Sequence, residues 1–466
     1  MKRITFATLL AVLLSCNHTT NPTKNCLTKE NEKSLVALGQ LWGFLKYHHP
    51  TVAEGKLDWD AELINLIPAV MEAKNEDDWK TILDGWVDNL PEVSVTQKDT
   101  VPWSKVVVKA DYGELFNTEY FNQKTIDKLQ FILDNTQIKE NHYIKLNYQR
   151  TSNDPFITIT NEPTYEDMAF PELSYRILGL FRYWNIVNYF FPYRELCDTK
   201  WSEVLPEMLP EFVCAENQKE YTLACLKLSA KIDDSHGYVG YRDSESYYEI
   251  YGRRKVPFET KFIENKLVVA SFLSDSVGYI LPSSCKPEER ENEVTRIISN
   301  TKGLIIDLRC YPSDYNAVSI APYLMKNWGY YCKQSFGNIS FPGYFFKGYE
   351  RPLPTTVETG SYPYKVVVMV NEYTQSQAED HTFFYYLAPQ VTIIGSTTAG
   401  ANGAVFSFPL PGGLMTYITG IGMYYLDGTC MQRAGIRIDE GIKPTIEGIK
   451  KGIDEPLERA IEIIKG

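Results

Sequence analysis

The chain has 466 residues, of which 44% are hydrophobic and 23% charged, and its formal net charge is −12. A chain of this length and composition can bury a large core and is expected to form two or three packed units. Its acidity excludes nucleic acid as the main partner, because phosphate binding requires a basic face. Peptides and small molecules are therefore the expected ligands.

The N-terminus has the pattern of an export signal. The basic pair Lys2-Arg3 precedes an apolar stretch that ends at Ser15-Cys16. The ending resembles the bacterial lipobox, in which the cysteine is lipidated. It predicts a signal peptide over 1–16, a lipid anchor at Cys16 and a place in the bacterial cell envelope, with the polar residues 17–30 as a tether. An ordinary cleaved signal with a chance cysteine is the alternative.

The cysteines that follow Cys16 do not predict a metal site. None of them forms a Cys-x-x-Cys pair, so neither zinc nor another cofactor is expected. In an exported protein some of them could form disulfides or remain as buried thiols, and the spacing selects no pair.

A repeat organises the first half of the chain. Trp42 recurs as Trp184 and Trp59 as Trp201, at the constant offset 184 − 42 = 142 residues. Apolar residues at helical spacing surround these positions. The pattern predicts two related helical subdomains, with a small strand-bearing insert between them. The predicted units are residues 31–100, 101–165 and 166–250.

Residues 251–466 alternate between strand and helix patterns. Apolar runs at 303–308, 365–370 and 391–394 predict buried strands, with helices near 318–327 and 376–387. This alternation predicts an α/β layer with a largely parallel sheet. Sites in such sheets gather in the loops that follow the carboxyl ends of the strands.

Ser376 lies in one of these loops, between a predicted strand and a predicted helix. At the start of a helix its hydroxyl would lie beside free backbone amides that can stabilise an oxyanion. A capping box formed by Ser376 and Glu379 is the structural alternative. The loop that contains Ser313 follows the strand 303–308 and could supply a second oxyanion donor.

His236 is the histidine best placed to act as a base. His48 and His49 stand where the second repeat copy has phenylalanines, and His381 lies about 140° around the helix from Ser376. His236 lies in a turn, Asp234-Ser235-His236-Gly237, that the first copy lacks. A feature added to one copy of a repeat favours a chemical role over a packing role.

The residues from about 171 onward resemble the tail-specific, or C-terminal processing, serine peptidases, and among them the tricorn-like branch. The shared pieces are Asp234 to Gly237, the strand 304–309, Thr374-x-Ser376-x-Ala378-Glu379 and 395–400. The resemblance implies a crotonase-like ββα catalytic core and a serine endopeptidase that acts on exported or envelope polypeptides. It also implies Ser376 as the nucleophile.

The resemblance selects the histidine scheme over a serine–lysine dyad. The dyad's lysine would directly follow Thr398-Ala399-Gly400, where this chain has Ala401. His236 is therefore expected to act as the base, oriented by Ser235. Glu440 would polarise Ser235, with Asp439 as the alternative acid. The amides of Gln377 and Ser313 would hold the oxyanion.

Two departures from the family keep a second function open. Too few residues separate the segment 266–272 from 277–280 to hold the usual peptide-binding PDZ domain, and the loop at 311–314 reads Tyr-Pro-Ser-Asp. A catalytically silent peptide- or glycan-binding envelope lipoprotein on the same scaffold is therefore the alternative.

Overall fold

The computed structural model describes most of the chain. The described residues are 26–148, 155–241, 270–274, 276–282, 295–309, 312, 316–325, 329–353 and 362–466. The predicted signal peptide and most of the tether lie outside the described residues.

The helices before residue 240 form the first half of the molecule. They are α1 (Lys29–His48), α2 (Pro50–Ala53), α3 (Trp59–Met71), α4 (Glu76–Asp88), α5 (Gln123–Asn135), α6 (Leu173–Phe190), α7 (Trp201–Val213) and α8 (Gln218–Ala230). Side chains of the preceding residues cap α4 and α8 at equivalent positions, Asn75 and Asn217. Within the described ranges, no helix combines the length and the apolar character that a membrane crossing needs.

The same tryptophan contacts occur in both halves of the repeat. The indole of Trp42 donates to the carbonyl of Trp59 at 3.1 Å, and that of Trp59 donates back to Trp42 at 3.0 Å. Trp184 and Trp201 exchange the same bonds at 2.9 and 3.0 Å. The first pair locks α1 to α3 and the second pair locks α6 to α7, so the repeated residues have a packing role.

Helices α1 and α6, the first helices of the two copies, cross closely. A β-carbon at Gly43 would lie 1.8 Å from the side-chain oxygen of Asn185, so only glycine fits at this crossing. The amide of Asn185 donates to the carbonyl of Gly39 at 2.9 Å. The backbone of α1 in the first copy therefore packs directly against the Asn185 side chain of α6 in the second copy.

A buried ionic network lies beside this crossing. The Arg182 guanidinium contacts Asp60 at 2.6 Å and Glu162 at 2.8 Å, and Lys46 contacts Glu162 at 2.6 Å. Arg182 also donates to the carbonyl of Pro409, at 3.0 Å. Since Pro409 belongs to the second half of the chain, the network joins the two halves.

The segment 101–165 contains a helix that the sequence analysis did not predict. Between strand β1 (Val106–Val108) and the hairpin β2 (Ile144–Tyr148) and β3 (Pro155–Ile159), α5 buries Ile126, Leu129 and Ile132. These apolar positions follow helical spacing, but polar residues surround them closely, which obscured the pattern.

The second half carries the remaining strands and helices. The strands are β4 (Tyr238–Tyr241), β5 (Ala270–Ser274), β6 (Val277–Ile280), β7 (Gly303–Asp307), β8 (Tyr330–Gly337), β9 (Phe345–Pro352), β10 (Val366–Val370), β11 (Val391–Gly395), β12 (Val405–Leu410), β13 (Leu414–Thr419), β14 (Ile421–Tyr424) and β15 (Glu440–Gly441). The helices are α9 (Asn316–Leu324), α10 (Gln377–Tyr385), α11 (Ile446–Lys451) and α12 (Glu455–Lys465). Residues 295–300 are also helical.

A six-stranded sheet forms the centre of this half, in the order β15-β11-β10-β7-β6-β5. All its neighbouring pairs are parallel except β5 with β6. Every residue of β7 and β10 is buried. Parallel sheets are covered on both faces, and here α12 covers one face and α9 and α10 the other. The predicted α/β class with a largely parallel sheet is confirmed.

Two smaller sheets join distant parts of the chain. Strand β4 pairs antiparallel with β13, in the order β12-β13-β4, and β1 pairs with β9 in the order β1-β9-β8-β14. The turn before β4 therefore lies against the C-terminal half. That turn contains His236.

One disulfide, between Cys26 and Cys214, ties the start of the described chain to the end of α7 across a sequence separation of 188 residues. Among the described residues, Cys197, Cys225 and Cys430 are free thiols.

Candidate active site

Ser376 occupies a sharp turn between β10 and α10. Its backbone has φ 55° and ψ −116°, and the amide of Ala378 donates to the carbonyl of Gln375 at 3.0 Å. This is the first central position of a type II′ turn, a position that favours glycine. A side chain there costs about 1–3 kcal/mol. Nucleophilic serines of other hydrolases occupy strained strand-to-helix turns of this kind.

The loop that follows β11 holds this turn from behind. The amide of Ser376 donates to the carbonyl of Ala401 at 2.8 Å, and that of Ala399 donates to Thr374 at 3.0 Å. On the other side, the Thr374 hydroxyl donates to the carbonyl of Leu308 at 2.7 Å. The Ser376 turn is therefore fixed between the ends of β7 and β11, at the carboxyl edge of the sheet.

Glu379 stabilises this loop and does not form a capping box. The Ser376 side chain makes no capping hydrogen bond. The buried Glu379 carboxylate instead accepts hydrogen bonds from the Thr398 hydroxyl and from the amides of Gly400 and Ala401, at 2.8 and 2.9 Å for the amides. The capping-box alternative is wrong, because the Ser376 hydroxyl accepts no hydrogen bond from the amides of the helix.

Burial raises the pKa of Glu379 to about 7, although its hydrogen bonds act in the opposite direction. Between pH 4.5 and pH 7 the Glu379 side chain therefore stays protonated in the folded protein, whereas in the unfolded chain it is ionised. The resulting stability is present below pH 4.5 and is lost as the pH rises to 7.

Glu379→Gln is expected to remove this pH dependence. Between pH 4.5 and pH 8, the free energy of unfolding of the wild type should fall relative to that of the variant by on the order of 3 kcal/mol. Urea unfolding across this range measures the difference, with the exposed Glu211→Gln as the control. A difference that does not change with pH would contradict the assignment.

His236 is half-buried in a turn, where Asp234 and Thr419 hold it. Its backbone amide donates to the Asp234 carboxylate at 3.0 Å, and its Nδ1 lies 2.8 Å from the Thr419 hydroxyl. The other ring nitrogen, Nε2, is buried and has no hydrogen-bond partner in the described part of the chain. Burial lowers the pKa of His236, and Asp234 opposes this shift. The imidazole is therefore neutral near pH 7.

The turns of Ser376 and His236 contact each other through the residues that precede them. The Gln375 side-chain amide donates to the carbonyl of Ser235 at 2.6 Å. The Ser235 hydroxyl donates to the carbonyl of Ala399, also at 2.6 Å. Two segments 140 residues apart in sequence thus meet at one edge of the sheet.

The predicted contacts of Ser235 and Glu440 differ from those observed. Ser235 directs its hydroxyl to Ala399, whereas His236 bonds Thr419. Glu440 lies on β15 and forms an ion pair with Arg459, at 2.6 Å. The predicted polarisation of Ser235 by Glu440 is absent from this structure, because the cation on α12 binds that carboxylate. Asp439, the alternative acid, accepts the amide of Ile393 at 2.7 Å.

The predicted oxyanion donors are placed only in part. Gln377 is the first residue of α10, where helix geometry leaves the amide without an intrahelical acceptor. Ser313 and Cys16, the predicted lipid-anchor residue, lie outside the described residues.

Thr419 was not found by the sequence analysis. It is a buried threonine at the end of β13, and threonine is common in strands, so no local pattern distinguishes it. Only the pairing of β13 with β4 brings it to His236.

Among the described residues, no cluster of histidine, cysteine, aspartate or glutamate has the arrangement of a metal site. The two turns carry a hydroxyl, an imidazole and backbone amides, and groups of these kinds suit acyl transfer through a serine nucleophile.

The chain is similar to several solved structures. A candidate peptidase from Parabacteroides merdae ATCC 43184 is 20% identical, with a TM-score of 0.50 over 64% of this chain and 98% of its own. A lipoprotein from Streptococcus agalactiae is 14% identical, with a TM-score of 0.39 over 66% and 98%. The tricorn protease is 14% identical, with a TM-score of 0.39 over 70% and 41%. No curated protein matches the chain in sequence.

The family comparison is more specific. The model of peptidase family S41 matches residues 276–447, which include β10, the Ser376 turn and the loop after β11. This segment of the chain therefore resembles peptidase family S41, and the protein is a serine-type peptidase.

Proposed function

We propose that this peptidase is an endopeptidase that uses Ser376 as its nucleophile and His236 as its base. The observation that carries the proposal is the conformation of Ser376, a non-glycine residue at φ 55° in a type II′ turn between a buried strand and a helix. Strain of this kind persists only where the surrounding structure imposes it, and it concentrates at active sites.

The state of His236 supports its role as the base. A buried polar atom without a partner requires an explanation, and Nε2 of His236 is such an atom. A neutral imidazole with a free Nε2 can accept the proton of a serine hydroxyl. The bond between Gln375 and Ser235, the residues that precede Ser376 and His236, supports the proposal that the two act together.

The proposed reaction proceeds in two acyl-transfer steps. His236 Nε2 takes the Ser376 proton while Oγ attacks the peptide carbonyl carbon, and the carbonyl oxygen becomes an oxyanion. The Gln377 amide at the start of α10 stabilises that oxyanion, together with an amide of the loop that contains Ser313. The protonated imidazole then gives its proton to the leaving amine, and water releases the acyl group through the same steps.

We further propose that the substrates are exported or envelope polypeptides and that lipidation at Cys16 anchors the enzyme to a membrane. The signal pattern of residues 1–16 supports export. The disulfide between Cys26 and Cys214 supports it independently, since such bonds persist in oxidising compartments.

A fluorophosphonate probe tests the catalytic assignment. The probe should label the wild type at one serine, and peptide mass spectrometry should place the label on Ser376. Labelling should be lost in Ser376→Ala and nearly lost in His236→Asn, since removal of the base lowers the reactivity of the hydroxyl by about 10²–10⁴. Ser407→Ala, on β12, is the control and should label as the wild type does.

Equal labelling of the wild type and Ser376→Ala would refute the assignment. That outcome would favour the alternative, a catalytically silent binding lipoprotein on the same scaffold.

A further inference from the structure

Asp234 is the centre of a buried hydrogen-bond cluster behind His236. Its carboxylate accepts bonds from the amide of Thr419 at 2.8 Å, from the Thr419 hydroxyl at 3.0 Å and from the side chain of Gln432 at 3.0 Å. The amide of His236 provides a fourth, at 3.0 Å. Asp234, Thr419 and Gln432 are each less than a tenth exposed.

The direction of these bonds determines which imidazole nitrogen carries the proton. A threonine hydroxyl has one hydrogen, and Thr419 gives it to Asp234. The same oxygen can then only accept from His236 Nδ1, which lies 2.8 Å away. Nδ1 therefore carries the proton, and Nε2 presents a lone pair. This is the tautomer that a general base needs.

We propose that Thr419 and Asp234 are the positioning residues of the catalytic histidine, linked in the order Asp234, Thr419, His236 Nδ1. This inference rests on the proposed function of His236. Thr419 accepts the Nδ1 proton, and Asp234 holds the Thr419 hydroxyl in the accepting orientation. As the imidazole takes the Ser376 proton, the buried carboxylate stabilises the positive charge through the hydroxyl.

This link takes the place of the predicted link from Glu440 through Ser235. The Glu440 carboxylate is paired with Arg459, and the Ser235 hydroxyl is committed to the carbonyl of Ala399. Asp234, by contrast, is buried beside the imidazole. The order of an acid, a hydroxyl and a histidine is the same in both links, but the residues differ.

The neighbouring charges do not compete with Asp234 for the imidazole. Asp233, the preceding residue, forms an ion pair with Arg433 at 2.7 Å, and Arg433 also contacts Asp198 at 2.8 Å. These three charges lie on the exposed side of the turn. The phenol of Tyr183, on α6, is fully buried near Asp234, and burial raises its pKa above the ordinary value, so it stays neutral.

The test compares Thr419→Val with Thr419→Ser. Valine keeps the shape and the backbone bond to Asp234 but removes the hydroxyl, whereas serine keeps the hydroxyl. The second-order rate of fluorophosphonate labelling is measured from pH 4 to pH 9. In Thr419→Val it should fall roughly 10- to 100-fold on the plateau. The acidic side of the pH–rate profile (the acid limb), where the rate rises as His236 loses its proton, should move to lower pH by on the order of one unit. The reason is that the imidazolium loses the hydroxyl that accepts its Nδ1 proton.

Thr419→Ser should restore both the rate and the position of the acid limb. A merely structural role for Thr419 would lower the number of active sites without moving the limb. Ser235→Ala is measured in parallel. A shifted limb in Ser235→Ala and none in Thr419→Val would overturn the proposal.

A second measurement does not depend on activity. Nitrogen-15 NMR of the histidine rings, with His236 assigned by its absence in His236→Asn, should show the Nδ1–H tautomer in Ser376→Ala protein. That tautomer should lose population when Thr419→Val is added. An Nε2–H tautomer in Ser376→Ala would overturn the link whether or not the wild type labels. Failure of the wild type to label, with the Nδ1–H tautomer intact, would instead count against the proposed function.

Discussion

Ser376→Ala is expected to lower the rate of peptide-bond hydrolysis by a factor on the order of 10⁶, the loss that removal of the nucleophilic serine causes in subtilisin. Ser376→Gly should be equally inactive. The two variants should nevertheless differ in stability, because only alanine keeps a β-carbon at φ 55°. We expect the glycine variant to be the more stable by about 1 kcal/mol, the penalty that a β-carbon meets in left-handed backbone.

Turnover of a quenched fluorescent peptide measures the first effect, and urea unfolding measures the second. The matched control is Ser407, in the interior of strand β12. There the order should reverse, with glycine less stable than alanine by about 0.5–1 kcal/mol. If glycine is less stable than alanine by the same amount at Ser376 and at Ser407, the Ser376 turn is not strained.

Arg182→Met is expected to destabilise the protein by about 3–5 kcal/mol, because it leaves buried carboxylates without their counter-ion. The Arg182 side chain is fully buried, and it contacts both Asp60 and Glu162. Lys46 can still pair with Glu162, but its contact does not replace the bond to Asp60. Although burial acts to raise it, the pKa of Asp60 is held below its ordinary value by Arg182 and Lys46.

The matched control is Lys227→Met, which breaks an exposed pair with Glu211 of similar geometry, at 2.7 Å. Exposed pairs contribute about 0–1 kcal/mol, so this variant should unfold almost as the wild type does. A similar loss of unfolding free energy in Arg182→Met and Lys227→Met would show that burial does not determine the strength of these ion pairs. Arg182 also bonds Pro409 on β12, in the sheet that holds Thr419, so Arg182→Met should lower the labelling rate of Ser376 as well.

Local sequence patterns predicted the central sheet well. The apolar runs at 303–308, 365–370 and 391–394 correspond to β7, β10 and β11, each shifted by a residue or less at its ends. Such runs are informative because strands of a parallel sheet are buried on both faces. The same patterns placed Ser376 at the junction of β10 and α10.

Contacts between distant residues could not be predicted in this way. Thr419 reaches His236 across 183 positions, and its place at the end of an ordinary strand carries no signal. Glu440 stood at the position that the family resemblance indicated, but its partner, Arg459, lies on a helix whose docking no local pattern reveals. Glu379 showed the spacing of a capping box, yet the carboxylate turns to a loop formed 19 to 22 residues later.

The bond between Cys26 and Cys214 gives the molecule a closed ring of chain that contains α1 to α7. In the chain-entropy model, closing a ring of this size stabilises the fold by about 5 kcal/mol. Both ends of the ring lie on the helical half, so a force applied at Cys26 acts on the end of α7 and not on α1 alone. A cut anywhere inside the ring leaves a single covalent molecule, and only reduction would let the fragments separate.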